Sequence, residues 1–396
     1  MSRSRIAIIG GGPAGALAAA TLAGAGCDVV LFDEKLAWEK PCGGGITYKA
    51  LAQYSFLRDA NFERNWVAEC ELIGPSGRRV SFPLDQPIAI FSRRVLNGLM
   101  LERARDAGAQ ILQTRVTAIQ GNAGEWRLQT LNGELEAGFV VIATGARNPF
   151  RAQFSTQFAP EDLMATAGYY VRGSSSCMQV QFIAGLHGYV WIFPRADHYS
   201  AGICGKMNDK STRELRQILE ACLAAEGFEF KDAKFYSHVL PALSLNSLRH
   251  AAFSGDGWAM VGDAAGFTDP ITGEGLYYAL RSAELLSQAV LEHRPEAYPA
   301  LVRKDFLREL EMAARVADRF FAGRWMGEAV TERMVQFTQH SPRFQQLMCD
   351  MFAGTQGYLN LRQRLYRTLP AIAAESAVSA LGLGKREARN ERSPAA

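Results

Sequence analysis

The chain has 396 residues, of which 48% are hydrophobic and 21% are charged, and its formal net charge at pH 7 is +3. That length exceeds what a single hydrophobic core usually supports, so two or more packed units are expected. The near balance of positive and negative charge lacks the basic surface that duplex binding needs, so nucleic acid is not expected as a partner.

Cysteine usage and hydropathy narrow the class of protein further. The seven cysteines are scattered, with no C-x-x-C pair and no histidine at metal-ligand spacing, which argues against a disulfide framework and a bound metal. A reducing, cytoplasmic location is expected. No stretch reaches the roughly 18 uninterrupted apolar residues of a membrane span, and the first apolar run is broken by glycine too early for a signal peptide. Aromatic residues among arginines in RFFAGRWM and LRQRLYRTL leave peripheral membrane contact open, beside the alternative of ordinary helix packing.

The N-terminal residues predict a nucleotide-binding unit. Residues 5–9, RIAII, predict a buried strand, GGGPAG a tight turn, and the alanine-rich segment after it a helix. In the G-x-G-x-x-G pattern, Gly10 permits the turn, Gly12 lets a pyrophosphate approach the backbone, and Gly15 lets the helix pack on the strand. The phosphates would lie at the helix N-terminus, where free N–H groups and the helix dipole favour negative charge.

An acidic residue follows the next predicted strand, DVVLFDEK. Asp33 comes 23 residues after Gly10, at the position from which a carboxylate accepts a hydrogen bond from the adenosine ribose 2′-hydroxyl. Glu34, one residue later on a regular strand, would point to the other face and into solvent. An acid at this position disfavours a 2′-phosphate, so the pattern predicts FAD or NAD rather than NADP.

The middle of the chain predicts antiparallel strands. CELIGPSGRRVSFPL has the pattern of a hairpin with GPSG at its turn, and MQVQFIAGLHGYVWIFPRADHYSAGICG alternates and turns like further strands of the same sheet. Tyr189, Trp191 and Phe193 alternate along GYVWIFP, so all three can share one face, either as a pocket wall or as core aromatics of the sheet. His187 beside them is interpreted as an ordinary strand-turn residue.

Residues 257–280, GWAMVGDAAGFTDPITGEGLYYAL, repeat the order of strand, turn and helix. Asp263 would lie at the carboxyl end of the strand WAMV, where open α/β sheets bind ligands, and its carboxylate could hold a ribityl hydroxyl. The helix is expected to begin near Thr272, with its N-terminal N–H groups directed at the cofactor. After about residue 326 the chain is expected to be helical, and the charged end at 384–396 to be disordered.

These motifs together resemble a known class. GGGPAG with its following acid, and GDAAGFTDPITGEGLYYAL far downstream, resemble the FAD-dependent oxidoreductases of the p-hydroxybenzoate hydroxylase structural class. Within that class, PCGGG, GYVWIFP and DPITGEGLYYAL resemble the geranylgeranyl reductase family, flavoproteins that saturate C=C bonds of prenyl chains. The resemblance implies an α/β fold: a Rossmann-like FAD-binding domain with a parallel sheet, an inserted antiparallel-sheet substrate domain and C-terminal helices. The implied bounds are 1–66, 92–152 and 252–325 for the FAD-binding domain, 67–91 and 153–251 for the substrate domain, 326–383 for the helical region and 384–396 for the tail.

The resemblance also implies a non-covalent FAD site. The residues assigned to it are Gly10, Gly12, Pro13, Ala14, Gly15, Asp33, Glu34, Cys42, Gly43, Arg93, Val116, Thr144, Gly145, Asp263, Gly273, Gly275 and Leu276. Two departures stand out from the family pattern. Asn97 replaces an aspartate four residues after Arg93, and VVIATGARNPFR has Thr144 and Asn148 where flavin hydroxylases carry aspartate and serine. The second departure leaves the electron donor open between NAD(P)H and another reductant.

Cys42, in EKPCGGGITYKAL, is the candidate catalytic residue. The resemblance brings residues 41–45 alongside the flavin, and glycines there let the backbone approach the ring and adopt positive φ. Reduction of a C=C bond needs a proton as well as a hydride, and the Cys42 thiol or an ordered water could supply it. The alternative is that cysteine packs as a small apolar residue under the ring. Tyr189 and Trp191 would then form the facing wall of the substrate pocket.

The leading functional hypothesis is therefore FAD-dependent reduction of C=C bonds in a small, hydrophobic prenyl substrate. The alternative is an FAD-dependent monooxygenase acting on an aromatic or natural-product substrate. Halogenation is the weaker form of that alternative, because GYVWIFP has only one tryptophan of the W-x-W-x-I-P segment of halogenases. The cofactor motifs give no support to a flavin-binding protein without turnover.

Overall fold

A computed structural model describes residues 5–380 of the chain. Its strands, in chain order, are β1 (Ile6–Ile9), β2 (Val29–Phe32), β3 (Gly45–Ile46), β4 (Asn65–Ile73), β5 (Arg79–Ile90), β6 (Gln110–Leu112), β7 (Val116–Gln120), β8 (Trp126–Thr130), β9 (Gly133–Ala137), β10 (Phe139–Ile142), β11 (Leu163–Arg172), β12 (Cys177–Gln181), β13 (Gly188–Pro194), β14 (His198–Lys206), β15 (Lys234–Pro241), β16 (Ser254–Gly255), β17 (Trp258–Met260), β18 (Arg324–Trp325) and β19 (Glu328–Ala329). Its α-helices are α1 (Pro13–Gly24), α2 (Tyr48–Gln53), α3 (Ser55–Asp59), α4 (Arg93–Asp106), α5 (Arg151–Phe154), α6 (Thr212–Ala225), α7 (Leu245–His250), α8 (Leu276–Leu291), α9 (Tyr298–Val302), α10 (Arg308–Phe321), α11 (Val330–His340), α12 (Pro342–Phe352) and α13 (Tyr358–Ala380).

A six-stranded sheet, in the order β16-β17-β10-β1-β2-β6, forms the first layer. β1 pairs in parallel with β10 on one side and β2 on the other. Strands β1 and β2 are buried along their whole length, as parallel strands covered on both faces are. The alanine-rich α1 has side chains small enough to pack closely against both α4 and α8. The strand predicted at residues 5–9 and the helix after it are therefore confirmed.

An eight-stranded sheet, in the order β15-β11-β14-β13-β12-β4-β5-β3, forms the second layer. Its neighbouring strands are antiparallel except for β12 and β4, which run in parallel. The hairpin predicted around GPSG is present as β4 and β5, and β12, β13 and β14 follow one another in the same sheet, as predicted. The expected fold class, a parallel-sheet Rossmann-like unit with an inserted antiparallel sheet and C-terminal helices, is confirmed.

The C-terminal helices pack around one end of this second sheet. α11 and α12 contact β5, while α13 lies against α10, α11 and α12. The domain bounds stay a prediction, and the tail predicted over 384–396 lies outside the described residues. Within residues 5–380 no helix combines the length and the apolar character needed to cross a bilayer.

The helix expected to begin near Thr272 begins instead at Leu276. The Asp269 carboxylate accepts hydrogen bonds from the backbone N–H groups of Ile271 and Thr272, which folds this segment into a turn. Gly273 then takes a φ of +69°, a left-handed conformation that interrupts a right-handed helix. The helix prediction was therefore wrong by about one turn of helix.

Candidate active site

A continuous cavity of about 1510 Å³ extends from the carboxyl edge of the parallel sheet, along the eight-stranded sheet, to the C-terminal helices. Pockets for one small ligand are usually about 300–1,000 Å³. The cavity therefore has room for a dinucleotide and a second molecule. Most of the predicted site residues line it, and Gly15, Glu34 and Val116 do not.

The glycine turn after β1 forms one end of the cavity. Gly10 has a φ of +110°, and a Cβ there would overlap the carbonyl oxygen of Ala143. A Cβ on Gly12 would project into open space, and no side chain caps the α1 helix that starts beside it. Gly15 packs instead against the Gly10 carbonyl, which matches its predicted role in close helix–strand contact. The free N–H groups at this helix start suit a diphosphate.

Asp33 follows β2 and lines the same end of the cavity. One carboxylate oxygen accepts a hydrogen bond from Gly11 N at 2.6 Å, and the other accepts from Lys35 N and Leu36 N at 2.7 Å. Glu34 points away, is exposed, and lies 4.0 Å from the guanidinium of Arg115. Asp33 therefore lies at the cavity, and Glu34 does not. Val116, at the start of β7, is buried in the hydrophobic core rather than in the cavity wall.

Arg93 supplies a buried positive charge to the cavity. Its side chain is only 3% exposed, its Nε has no hydrogen-bond partner, and its Nη2 lies 3.4 Å from Asn97 Oδ1. Position 97 is an asparagine, and no carboxylate among the described residues pairs with this guanidinium. A buried, unpaired cation is unfavourable unless an anionic ligand compensates it. The hydroxyl of Thr144 is likewise buried without a partner at the cavity wall. These orphaned groups and the open glycine turn fit FAD.

Asp263, one turn beyond β17, pairs with a lysine that sequence reasoning missed. Lys40 Nζ lies 3.1 Å from Asp263 Oδ2, and both residues line the cavity. Burial acts to raise the pKa of Asp263, but the attraction of Lys40 outweighs it and the pKa is lowered, so the carboxylate stays ionised. Burial and the nearby Lys40 lower the pKa of His238 to about 3, so this cavity-lining imidazole is neutral at physiological pH. His187, by contrast, packs on Phe321 outside the cavity.

The Cys42 segment is held by a buried arginine from the other layer. Arg195, between β13 and β14, is 1% exposed and donates from Nη2 to the Cys42 carbonyl at 2.8 Å. Ser200 Oγ donates to the same carbonyl at 2.9 Å. The second Nη of Arg195 lies 2.6 Å from Glu39 Oε1. Hydrogen bonds at Glu39 and at Cys42 therefore hold this segment against β14 and the loop that precedes it.

Glu39 also fixes the start of α4. Its carboxylate accepts hydrogen bonds from Ser92 Oγ and from the backbone N–H groups of Arg93 and Arg94. Burial acts to raise the pKa of Glu39, but Arg195 and these donors outweigh it and lower the pKa. Sequence reasoning missed Glu39, Arg195 and Ser200 because the contacts of Arg195 with Glu39, and of Arg195 and Ser200 with Cys42, span more than 150 positions.

The glycines after Cys42 make room for the aromatic wall. A Cβ on Gly43 would lie 2.7 Å from the Phe193 ring, and one on Gly44, whose φ is +89°, would overlap the Phe91 carbonyl. Tyr189 and Trp191 line the cavity beside Phe193, with their ring centroids 6.2 Å apart. The three aromatics predicted to share a face therefore do so, opposite the glycine segment.

Glu274 is a second candidate proton donor, which sequence reasoning missed. Its carboxyl lines the cavity and accepts a hydrogen bond from Thr47 Oγ1 at 3.0 Å. Burial raises its pKa to about 7, with the Asp269 carboxylate acting in the same direction. The group therefore holds its proton close to neutral pH. The signal in the sequence was an acid between the two glycines of GEG.

The far end of the cavity is mostly apolar. The C-terminal helices line it with long, flexible and aromatic side chains, including Met334, Phe337, Phe344, Met348, Met351 and Leu365. Methionine and phenylalanine walls of this kind accommodate a long hydrocarbon without fixing its shape. Within residues 5–380, no group of histidine, cysteine and carboxylate side chains is arranged to hold a metal ion.

The chain is similar to known oxidoreductase sequences. The pyridine nucleotide-disulphide oxidoreductase family model matches residues 4–180. The chain is 28% identical over 325 residues to the geranylgeranyl diphosphate reductase of Synechocystis, covering 72% of this chain and 75% of that protein. It is 29% identical over 310 residues to the digeranylgeranylglycerophospholipid reductase of Methanoculleus marisnigri, covering 72% of this chain and 75% of that protein.

Solved structures share the fold over most of the chain. A geranylgeranyl bacteriochlorophyll reductase-like protein from Thermoplasma acidophilum superposes with a TM-score of 0.76 and 18% identity, covering 92% of this chain and 98% of the other. A flavin-dependent brominase superposes with a TM-score of 0.67 and 18% identity, covering 89% of this chain and 93% of the other. At such low identity these similarities speak to the fold alone.

Proposed function

We propose that the chain is a member of the geranylgeranyl reductase family of FAD-dependent oxidoreductases and that it saturates C=C bonds in a prenyl substrate. The observation that carries the proposal is the continuity of the cavity, which joins the dinucleotide end to a long apolar end. FAD, when bound and reduced, supplies the hydride for such a reaction. Contact with a membrane surface belongs to the proposal, because a prenyl substrate is lipophilic.

The cofactor would be held by residues in the segments that follow β1, β2 and β17, at the carboxyl edge of the parallel sheet. The N–H groups after Gly12 would bind the diphosphate, Asp33 the ribose, and Asp263 a ribityl hydroxyl. The unpaired guanidinium of Arg93 would compensate the cofactor's negative charge. The substrate chain would lie between Trp191 and the methionine and phenylalanine side chains of the C-terminal helices.

The proton that accompanies the hydride would come from a side chain of the cavity wall. Cys42 is the proposed donor, because its position is fixed by the two hydrogen bonds to its carbonyl and it borders the aromatic wall. Glu274 offers a second source, since its carboxyl keeps a proton near neutral pH. Substitution at each position tells the two apart.

The test is a product analysis by mass. The FAD-loaded protein is reduced under anaerobic conditions and mixed with a geranylgeranyl lipid. The lipid is then extracted, and its molecular mass is measured by mass spectrometry. A gain of two hydrogens per double bond supports the proposal. A matched reaction with an aromatic acid and oxygen tests the monooxygenase alternative, for which the product gains one oxygen. Prenyl lipids left unsaturated, together with an oxygenated aromatic product, would overturn the reductase assignment.

The electron donor is identified by the same preparation. NADH, NADPH and a reduced ferredoxin are offered separately to the oxidised holoprotein without oxygen, and bleaching of the flavin absorbance is followed. The donor that bleaches the flavin fastest is the physiological class of reductant. Thr144, in place of the aspartate of flavin hydroxylases, is the residue that makes this comparison necessary.

A further inference from the structure

We infer that the surface around the open, apolar end of the cavity docks on an anionic lipid bilayer, so that the cavity opens into the lipid. This mouth surface consists of one face of α10, the β18–β19 hairpin and one face of α13. The inference rests on the proposed function, because it states where a lipophilic substrate would enter. It adds a partner, a surface and named residues to that function.

Exposed apolar side chains are concentrated on the mouth surface. In the hairpin, Trp325 is 41% exposed and Met326 is 72% exposed. On α13, Leu359 is 45% exposed and Tyr366 is 66% exposed. These two residues and Leu369 are spaced by seven and three positions, which places them on one helical face. Apolar groups that share a surface with a cavity opening mark a contact site rather than scattered surface residues.

The charged side chains that line this end of the cavity are all positive. Between residues 312 and 372, every charged side chain that lines the cavity is an arginine: Arg315, Arg319, Arg333 and Arg362. Arg333 lies 3.5 Å from Glu328. Within residues 5–380 the other three have no carboxylate within ion-pair distance, and all three are exposed. Unpaired arginines beside exposed aromatic and aliphatic side chains complement a layer of anionic headgroups above hydrocarbon.

The combination favours a bilayer over other occupants. A second copy of this chain, docked through the same surface about a twofold axis, would bring arginines against arginines. A soluble anion would account for the arginines but not for the exposure of Trp325 and Met326. A bilayer accounts for both, since its phosphates meet the cations while its hydrocarbon covers the apolar groups.

The experiment measures vesicle binding by the full-length, FAD-loaded chain. Co-sedimentation is compared between vesicles of phosphatidylcholine alone and vesicles that also contain phosphatidylglycerol. The parent is expected to prefer the anionic vesicles, with binding that weakens as salt is added. The triple variant Arg315→Gln, Arg319→Gln, Arg362→Gln is expected to bind them about 100-fold more weakly, because each basic residue near an anionic surface contributes about fivefold. Met326→Ser with Tyr366→Ser is expected to lose about tenfold, because two apolar side chains no longer insert.

Two substitutions elsewhere are matched controls. Leu131→Ser removes an apolar side chain that is 76% exposed, between β8 and β9, and Arg213→Gln removes an exposed arginine from α6. Neither residue lines the cavity, and both variants are expected to bind vesicles within about twofold of the parent. Unchanged flavin content and melting temperature in all variants show that the fold is intact.

Several outcomes would overturn the inference. Equal binding of the parent to neutral and anionic vesicles would remove the role of the arginines. If both mouth variants bind vesicles as well as the parent, the membrane contact lies on another surface of the protein. A concentration-dependent dimer that the mouth variants disrupt would make a second copy the occupant. Vesicle binding can be measured without turnover, so the two proposals are tested separately. If the chain binds vesicles but leaves prenyl lipids unsaturated, the proposed function is wrong and the membrane inference stands.

Discussion

Arg195→Met tests whether a buried ion pair holds the Cys42 segment in place. The substitution keeps an apolar stem of similar length but leaves the Glu39 carboxylate without its cation and the Cys42 carbonyl with Ser200 as its remaining donor. Breaking a buried ion pair from one side costs about 3–5 kcal/mol. Glu39 retains the donors at the start of α4, and its side chain is 24% exposed, so the lower part of that range applies. We expect the free energy of unfolding to fall by about 3–4 kcal/mol.

The double-mutant cycle makes this prediction specific. Glu39→Gln and the combination of both substitutions are unfolded in urea beside the parent and Arg195→Met, each with and without added FAD. The combined variant should lose less stability than the sum of the single variants, with a coupling of about 1–3 kcal/mol. Arg213→Met, at an exposed site, is the control and should change stability by less than about 0.5 kcal/mol. Losses that add within about 0.5 kcal/mol would refute the reasoning, because they would show that the two side chains act independently.

Substitutions of three cavity-lining residues, Asp33, Cys42 and Glu274, give three further tests. Asp33→Ala should weaken FAD binding roughly ten- to a hundredfold in a fluorescence titration, the effect of one charge-assisted hydrogen bond; an equal loss in Glu34→Ala would mean that the ribose contact is misassigned. Cys42→Ala should retain FAD but form product about a hundredfold more slowly, with part of the rate recovered in Cys42→Ser; rates within a fewfold of the parent in both variants would leave Cys42 a packing role only. Because the pKa of Glu274 is raised to about 7 from an ordinary value of 4.5, its stabilising effect is complete below about pH 4.5 and is lost as the pH rises through 7. The unfolding free energy should therefore fall between pH 5 and pH 8 by about 1–2 kcal/mol more in the parent than in Glu274→Gln, and identical pH slopes would contradict the shift.

The parts of the fold that the sequence predicted are those with a local cause. Residues 5–9 are continuously apolar and are followed by glycine and alanine, so strand, turn and helix are each specified within a few positions. The GPSG hairpin and the alternating segment around Trp191 are specified in the same way. The start of α8 was predicted one turn too early. The Asp269 carboxylate accepts hydrogen bonds from the backbone of residues 271 and 272 and stabilises a turn there, which the hydropathy pattern does not predict.

The parts of the site that were missed depend on distant contacts. Arg195 and Ser200 reach Cys42 only because β13 and β14 lie beside the segment that precedes β3, and no local pattern encodes that proximity. Lys40 was overlooked for a related reason. Its partner Asp263 follows β17, far along the chain, and the two meet because the segments after β2 and after β17 both leave the carboxyl edge of the parallel sheet.

These contacts explain the glycines after Cys42. Gly43 and Gly44 lie where a side chain would collide with Phe193 or with the Phe91 carbonyl. The cysteine just before them has its carbonyl held by two donors, one of which is a fully buried arginine. The segment is therefore fixed from both sides, and the glycines serve close packing rather than motion. A rate effect of Cys42→Ala can then be attributed to the lost thiol, provided that Arg195→Met, which loosens the segment and keeps the thiol, changes flavin retention instead.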